Sequence, residues 1–239
     1  MQSKSIRGIL FDKDGTLIDF HTQWMPAYRA AVAMLTAQDE AKGQRLLQLA
    51  GYDPVTNYLD PASPLACGTN RQIIGIWAKD LGVPATPEFV RRVEEMFHEI
   101  ATANAKPVTD LKALFGRLHA RSIAIGVATM DSTVTARANL SDFGVSDLVD
   151  FVIGADAGHG LKPDPGMFLA FCAAKGFSPA QAAMVGDSVL DLMMGRNAEA
   201  GLVIGVTSGV TPRTTLAPYA DIVLDSIAEI ETVLPAIAD

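Results

Sequence analysis

Short apolar segments alternate with helix-like segments over the second half of the chain. From about residue 107 onward, runs rich in valine, isoleucine and alanine are separated by stretches in which apolar residues recur at helical spacing. The apolar runs cover 122–129, 150–155, 182–187, 202–207 and 221–225, and the helical stretches cover about 109–120, 132–143, 165–175, 189–199 and 226–235. Apolar strands that alternate with helices are typical of a parallel sheet covered by helices on both faces. The pattern therefore predicts an α/β fold.

The first part of the chain has a different pattern. The segment 7–12 (RGILFD) is apolar like the later strands, but no comparable strand follows it before residue 122. Residues from about 20 to 105 instead show helical periodicity, interrupted by proline and glycine. We therefore predict an α/β core formed by 1–19 and 106–239, with an all-helical cap inserted at 20–105. Such an insertion is expected over the carboxyl ends of the strands, where open α/β sheets bind ligands.

Composition and charge exclude several classes of partner. Of the 239 residues, 49% are hydrophobic and 19% charged, which suits a folded core and excludes a disordered chain. The formal net charge of −8 argues against nucleic acid and against an anionic membrane surface. No apolar run is long enough for a membrane span or a signal peptide, so we expect a cytoplasmic protein. A monomer and a homodimer are both expected possibilities. The two cysteines are interpreted as ordinary apolar residues.

Four polar segments lie at the ends of predicted strands or just before a helix. They are 11–16 (FDKDGT), 128–131 (ATMD), 160–165 (GLKPDP) and 186–191 (GDSVLD). In a parallel sheet they would meet at one edge, where Asp12, Asp14 and Asp187 would bring like charges together. A hard cation bound by oxygen ligands relieves that repulsion, and Mg²⁺ that shares a substrate phosphate is the expected ion.

The other polar groups of these segments suit phosphoryl transfer. Thr129 and Lys162 offer a hydroxyl and an ammonium for the oxygens of a transferring phosphoryl group. Asp12 could act as a carboxylate nucleophile and Asp14 as the acid and base. Each residue alone has a plainer interpretation: Thr129 or Asp187 as a helix N-cap, and Lys162 as a solvated loop residue. Their coincidence at one sheet edge favours the chemical interpretation.

The same segments resemble the haloacid dehalogenase superfamily of phosphohydrolases. FDKDGTL (11–17) matches the D-x-D-G-T signature of that superfamily, Thr129 fits its second motif, Lys162 its third and GDSVLD (186–191) its fourth. The helical block is similar to the mobile cap of the superfamily. The segments 198–201 and 205–209 are similar to the branch that includes phosphoglycolate phosphatases.

The resemblance implies a Rossmann-like core and a Mg²⁺-dependent phosphoric monoester hydrolase. Its substrate would be a small phosphorylated metabolite such as phosphoglycolate, hydrolysed through an aspartyl-phosphate on Asp12. Asp14 would protonate the leaving oxygen and then deprotonate the attacking water.

The resemblance also implies roles for the remaining residues. The metal ligands would be the Asp12 carboxylate, the Asp14 backbone carbonyl and Asp187. The phosphoryl oxygens would be bound by Thr129, Lys162 and backbone N–H groups near Lys13 and Met130. Asp191 would bind metal-bound water or orient Lys162. Met130 departs from the family pattern, because many relatives carry a polar residue there.

Several alternatives remain open. A phosphomutase or a phosphonate hydrolase would use the same residues, although a phosphonate hydrolase should offer a cap lysine and the cap helices hold only Lys42 and Lys79. A signalling receiver domain is about half as long and carries its phosphorylated aspartate on a middle strand. A ligand-binding protein on an inactive hydrolase scaffold would be expected to lack one of these groups. Asp14 argues against dehalogenation of carbon.

Overall fold

The computed structural model describes residues 6–234. The strands are β1 (Gly8–Asp12), β2 (Tyr52–Asp53), β3 (Tyr58–Leu59), β4 (Ala124–Ala128), β5 (Phe151–Ile153), β6 (Ala182–Gly186), β7 (Leu202–Val206) and β8 (Ile222–Leu224). The α-helices are α1 (Phe20–Leu35), α2 (Glu40–Leu49), α3 (Pro64–Cys67), α4 (Asn70–Leu81), α5 (Pro87–Asn104), α6 (Leu111–Ala120), α7 (Thr133–Asp142), α8 (Gly166–Lys175), α9 (Val189–Asn197) and α10 (Arg213–Leu216). The chain divides into a core unit, 1–19 with 107–239, and a helical unit, 20–106.

The core unit is built on one parallel sheet with the order β5-β4-β1-β6-β7-β8. Numbered within this sheet, the order is 3-2-1-4-5-6, which is that of the Rossmann fold. All five residues of β1 and of β6 are buried, because these central strands are covered on both faces. Leu10, Met184 and Phe171 belong to one apolar cluster that joins the sheet to α8. The predicted α/β fold class is confirmed.

The last predicted helix differs in the structure. The helix expected at 226–235 is a 3₁₀ helix over Ile227–Thr232, and residue 235 lies outside the described residues. The predicted core boundaries also include residues 1–5 and 236–239, which lie outside them as well.

The helical unit is not entirely helical, because it contains the antiparallel pair β2–β3. The turn of this hairpin is stabilised by the Asp53 carboxylate, which accepts hydrogen bonds from Val55 N at 2.9 Å and Thr56 Oγ1 at 2.6 Å. The two-residue strands are too short to show the alternating pattern on which strand prediction depends.

Aromatic side chains form the interior of the helical unit. Trp24 stacks on Tyr28, with ring centroids 5.6 Å apart, and Phe97 meets both Tyr28 and Trp77 edge-on. The Trp77 indole N–H donates to the Leu46 carbonyl at 2.9 Å, so its polar atom is satisfied where the ring is buried. None of the described helices combines the length and the apolar character that crossing a membrane requires.

Candidate active site

Three of the predicted site residues lie at the carboxyl ends of neighbouring strands. Asp12, the last residue of β1, pairs with Ala128, the last residue of β4, and Thr129 follows immediately. On the other side of β1, Phe11 lies opposite Val185, and Asp187 is the first residue after β6. The strand order reverses at β1, and open α/β sheets bind ligands at the carboxyl ends of the strands at such a reversal. The structure therefore brings Asp12, Thr129 and Asp187 to the expected edge.

Lys162 reaches this edge from the loop before α8. Its ammonium forms ion pairs with Asp12 Oδ1 and, at 2.7 Å, with Asp191 Oδ1, and it donates to the Ala128 carbonyl at 3.0 Å. Three acceptors therefore surround this ammonium, two through hydrogen bonds and Asp191 through an ion pair. The side chain is 2% exposed, so the plainer interpretation of Lys162 as a solvated loop residue is wrong.

Asp191 is engaged by the protein through both carboxylate oxygens. Oδ1 contacts Lys162, and Oδ2 accepts hydrogen bonds from Ser188 N at 3.1 Å and Ser188 Oγ at 2.5 Å. The contacts with Ser188 form a capping box at the start of α9. Of the two roles that the family resemblance implies for Asp191, this geometry supports the orientation of Lys162.

The N-caps of α7 and α9 are serines, and neither Thr129 nor Asp187 caps a helix. Ser132, not Thr129, caps α7, and its Oγ accepts from Thr135 N. Ser188, not Asp187, caps α9. The interpretation of Thr129 and Asp187 as helix caps is therefore wrong, and both side chains are buried at the site instead.

The acidic residues of the site are suited to hold a metal ion. Asp12, Asp187 and Asp191 each have a carboxylate oxygen within 4.8 Å of the others. Asp12 Oδ2 is buried and has no hydrogen-bond partner within residues 6–234. A divalent cation with oxygen ligands would satisfy that atom and reduce the repulsion between the carboxylates. The residues present therefore fit Mg²⁺.

The electrostatics of these carboxylates agree with that fit. Burial is the main cause that raises the pKa of Asp12 to about 7, with contributions from Asp191 and Asp14 and against the opposing effect of Lys162. Burial likewise raises the pKa of Asp187 well above its usual range, with contributions from Asp12 and Asp191. Burial alone would lower the pKa of Lys162, but the facing carboxylates outweigh it and raise that pKa.

Asp14 lies outside this carboxylate cluster, and its side chain is directed elsewhere. Asp14 Oδ1 lies 3.2 Å from the ammonium of Lys13, and Asp14 Oδ2 accepts from Thr129 Oγ1 at 3.4 Å. Thr129 Oγ1 in turn accepts from Asp131 N at 3.0 Å. A metal contact of Asp14 through its backbone carbonyl stays a prediction, as does phosphate binding at Met130, which is half-buried beside Thr129.

Sequence reasoning missed part of this site. Lys13 was expected to contribute only backbone, yet its side chain is fully buried and contacts Asp131 Oδ2 at 3.0 Å and Asn139 Oδ1 at 3.3 Å. Burial alone would lower the pKa of Lys13, but the carboxylates of Asp14 and Asp131 outweigh it and raise that pKa. Asp131 belongs to the second polar segment, and its position two residues after Thr129 was the available signal.

The loop after β7 was also missed as a part of the site. Ser208 Oγ donates to the Gly15 carbonyl at 2.8 Å, and Val210 N donates to Asp187 Oδ2 at 3.4 Å. A Cβ on Gly209 would lie 1.8 Å from Asp187 Oδ2. A Cβ on Gly15, whose φ is +87°, would lie 2.5 Å from the same oxygen. The two glycines therefore leave the space that the Asp187 carboxylate occupies.

Comparison with known proteins identifies the family. The model of the haloacid dehalogenase-like hydrolase family matches residues 6–199, which is most of the chain. The chain belongs to this family of hydrolases. The family predicted from the four motifs is therefore confirmed.

Relatives of this hydrolase include several phosphatases. The phosphoglycolate phosphatase of Rhodospirillum rubrum is 30% identical over 201 residues, which cover 83% of this chain and 78% of the relative. The phosphoglycolate phosphatase of Salmonella typhi is 26% identical over 250 residues, which cover 98% of this chain and 93% of the relative. The predicted enzyme class, a phosphoric monoester hydrolase, agrees with the family and with these phosphatases.

Solved structures of similar fold span nearly the whole chain. A hydrolase from Pseudomonas syringae has a TM-score of 0.68 at 18% identity, covering 96% of this chain and 100% of that one. CbbY from Rhodobacter sphaeroides, solved in complex with phosphate, has a TM-score of 0.66 at 21% identity, covering 94% of this chain and 96% of that one. At these identities the likeness shows a shared fold.

Proposed function

We propose that this hydrolase is a Mg²⁺-dependent phosphatase that acts on a small phosphorylated metabolite through an aspartyl-phosphate on Asp12. The observation that carries the proposal is the environment of the Asp12 carboxylate. One of its oxygens pairs with Lys162, while the other has no hydrogen-bond partner in the described part of the chain. A buried carboxylate with one unengaged oxygen, at the sheet edge where ligands bind, is suited to nucleophilic attack.

The proposed reaction has two steps, both centred on phosphorus. First, an Asp12 oxygen attacks phosphorus, the bond from phosphorus to the leaving oxygen breaks, and Asp14 gives that oxygen a proton. Second, water attacks the phosphorus of the aspartyl-phosphate, its proton passes to Asp14, and phosphate and the Asp12 carboxylate are released. The position of Asp14, two residues from Asp12 and held by Thr129, supports its assignment as acid and base.

Positive charge at the site supports the binding of a phosphoryl group. The chain as a whole carries a net charge of −8, so an anionic substrate needs a local cation. Lys162 is fixed between Asp12 and Asp191 and would pair with a phosphoryl oxygen as negative charge develops there. The Thr129 hydroxyl and the backbone N–H groups near Lys13 and Met130 would bind the other oxygens.

The proposed metal ligands follow from which carboxylates are already engaged. When bound, Mg²⁺ would neutralise negative charge on the phosphoryl oxygens and on the carboxylates around them. Asp12 and Asp187 would hold the ion, with the Asp14 backbone carbonyl. Asp191 would keep its contacts with Lys162 and Ser188.

The names of the relatives support a first choice of substrate. Phosphatases of Rhodospirillum rubrum and Salmonella typhi that cover most of this chain are named for phosphoglycolate. We propose phosphoglycolate as the first substrate to test, among sugar phosphates and nucleotides. That the helical unit acts as a cap and selects among these esters stays a prediction.

The test is phosphate release from a panel of small phosphate esters, measured with Mg²⁺ and with EDTA. Asp12→Asn removes the nucleophile, and Asp225→Asn is the matched control because Asp225 is 78% exposed and pairs with Arg213. Mg²⁺-dependent release that is lost only in Asp12→Asn supports the proposal, and the best ester names the leaving group. Interconversion of a sugar phosphate without net release would favour a phosphomutase, and cleavage of a phosphonate would favour the phosphonate route. No reaction with any compound would contradict all three.

A further inference from the structure

The ammonium of Lys13 is an unusual feature of the core unit. Lysine is almost never fully buried unless its charge is paired, and Lys13 is 0% exposed. Its three donors face three acceptors: Asp14 Oδ1 at 3.2 Å, Asp131 Oδ2 at 3.0 Å and Asn139 Oδ1 at 3.3 Å. Asp131 and Asn139 accept hydrogen bonds and Asp14 forms an ion pair, so this ammonium has a specific place beside the site.

These contacts are part of a closed ring that includes Asp14. Lys13 holds Asp14 Oδ1, and the Thr129 hydroxyl donates to Asp14 Oδ2 at 3.4 Å. Asp131 N donates to Thr129 Oγ1 at 3.0 Å, and the Asp131 carboxylate returns to Lys13. Both oxygens of the Asp14 carboxylate are therefore held, one by a charge and one by a hydroxyl.

The ring is anchored at the side opposite Asp14. Asp131 Oδ1 accepts from Ser132 N at 2.7 Å, and the Asp131 carbonyl accepts from Ala155 N at 2.9 Å. Asn139 is fully buried on α7. Lys13 thus connects Asp14 to a fixed point made by the loop after β4 and by α7.

We propose that Lys13 is a positioning residue, which holds the Asp14 carboxylate in the orientation from which Asp14 exchanges a proton with the leaving oxygen. This inference rests on the proposed function, in which Asp14 is the acid and the base. The acidic cluster suited to a metal consists of Asp12, Asp187 and Asp191, which share no side chain with the ring, so different substitutions address the ring and the cluster.

The leaving group distinguishes a positioning role from a merely structural one. An alkoxide needs a proton as it leaves, whereas p-nitrophenolate is stable enough to leave without one. Lys13→Met should therefore lower kcat/KM for an alkyl phosphate at least about tenfold more than for p-nitrophenyl phosphate. In an Asp14→Asn background the same substitution should change kcat/KM for p-nitrophenyl phosphate by less than about threefold, because residues that act as a unit are not additive. Equal losses for both esters, or an undiminished loss in that background, would overturn the proposal.

A second variant keeps the test decisive if Lys13→Met does not fold. Lys13→Met leaves two carboxylates without their cation, whereas Asn139→Leu removes one neutral acceptor and should give a smaller loss that is again selective for the alkyl ester. Mg²⁺ should still raise the melting temperature of whichever of the two variants folds. If Mg²⁺ no longer stabilises that variant, the whole site is disturbed, and this result would count against the proposal. If the wild type hydrolyses neither ester, the proposed function fails. If it hydrolyses both and Asn139→Leu keeps the wild-type ratio between them, only the positioning role fails.

Discussion

Replacement of Lys162 by alanine tests the charge balance of the site through two measurements. The Lys162 side chain is 2% exposed and pairs with Asp12 and Asp191. Its loss leaves these carboxylates, and Asp187 beside them, without their cation. Removal of one partner of a buried ion pair costs about 3–5 kcal/mol of unfolding free energy. For a chain of this length that corresponds to a fall of about 6–20 °C in melting temperature.

The same substitution should slow turnover by about two to three powers of ten, because it removes one positioned electrostatic donor to the phosphoryl group. The two effects respond differently to Mg²⁺. Saturating Mg²⁺ should restore part of the lost stability, since a bound cation again offsets the carboxylates. It should not restore the rate.

Lys175→Ala is the matched control for this experiment. Lys175 pairs with Asp150 at 2.7 Å on the same unit but is 30% exposed, and exposed pairs contribute about 0–1 kcal/mol. Urea unfolding and phosphate release should be measured for both variants, with and without Mg²⁺. If Lys162→Ala is as stable as Lys175→Ala and loses less than about threefold in rate, Lys162 does not act at the site as described.

Three further predictions follow from the geometry. Asp12→Asn should reduce phosphate release to background while the circular dichroism spectrum is unchanged, since only the nucleophile and one metal charge are lost; wild-type rates would exclude Asp12 as the nucleophile. Gly209→Ala should weaken Mg²⁺ binding about 10- to 100-fold, measured calorimetrically, because the added Cβ would lie 1.8 Å from Asp187 Oδ2. Gly75→Ala, which has no heavy atom within 4 Å of the added Cβ, should leave Mg²⁺ affinity unchanged. Mg²⁺ should raise the melting temperature more at about pH 8 than at about pH 6, because Asp12, with a pKa of about 7, must lose its proton to bind the ion.

The raised pKa of Asp12 also predicts how the metal-free protein responds to pH. A carboxyl whose pKa rises from 3.8 to about 7 on folding binds its proton more tightly in the folded state. Its contribution to stability is therefore present at low pH and is lost as pH rises through about 7. Between pH 3.8 and about pH 7, the unfolding free energy in EDTA should therefore fall more for the wild type than for Asp12→Asn. Parallel curves of unfolding free energy against pH for the two proteins would contradict the raised pKa.

The parallel core could be predicted because its strands are buried on both faces and therefore appear as continuous apolar runs. The ends of those runs predict Asp12, Thr129 and Asp187 at one edge of the sheet. A lysine before a proline in a loop is usually solvated, so Lys162 could be assigned only because it coincides with the other polar segments, and the family resemblance supports that assignment. The resemblance also supplied the order of the four motifs along the chain.

What the sequence did not reveal depends on packing between distant segments. The burial of Lys13 follows from Asp131 and Asn139, which lie 118 and 126 residues away. Serine, threonine and aspartate are all common N-caps, and which of them caps a helix depends on backbone angles. Residue type alone therefore could not show that Ser132 and Ser188, and not Thr129 and Asp187, are the caps. The steric demand at Gly209 likewise appears only when Asp187 is in place.

Transfer of the phosphoryl group to Asp12 is tested most directly by trapping the phosphorylated chain. The protein would be mixed with its best ester and Mg²⁺, quenched in acid within one turnover and reduced with borohydride, which converts an aspartyl-phosphate to homoserine. We expect homoserine at position 12 in the peptide mass spectrum, and none there when the ester is omitted. Rapid phosphate release with an unmodified Asp12, or homoserine at another aspartate, would contradict it.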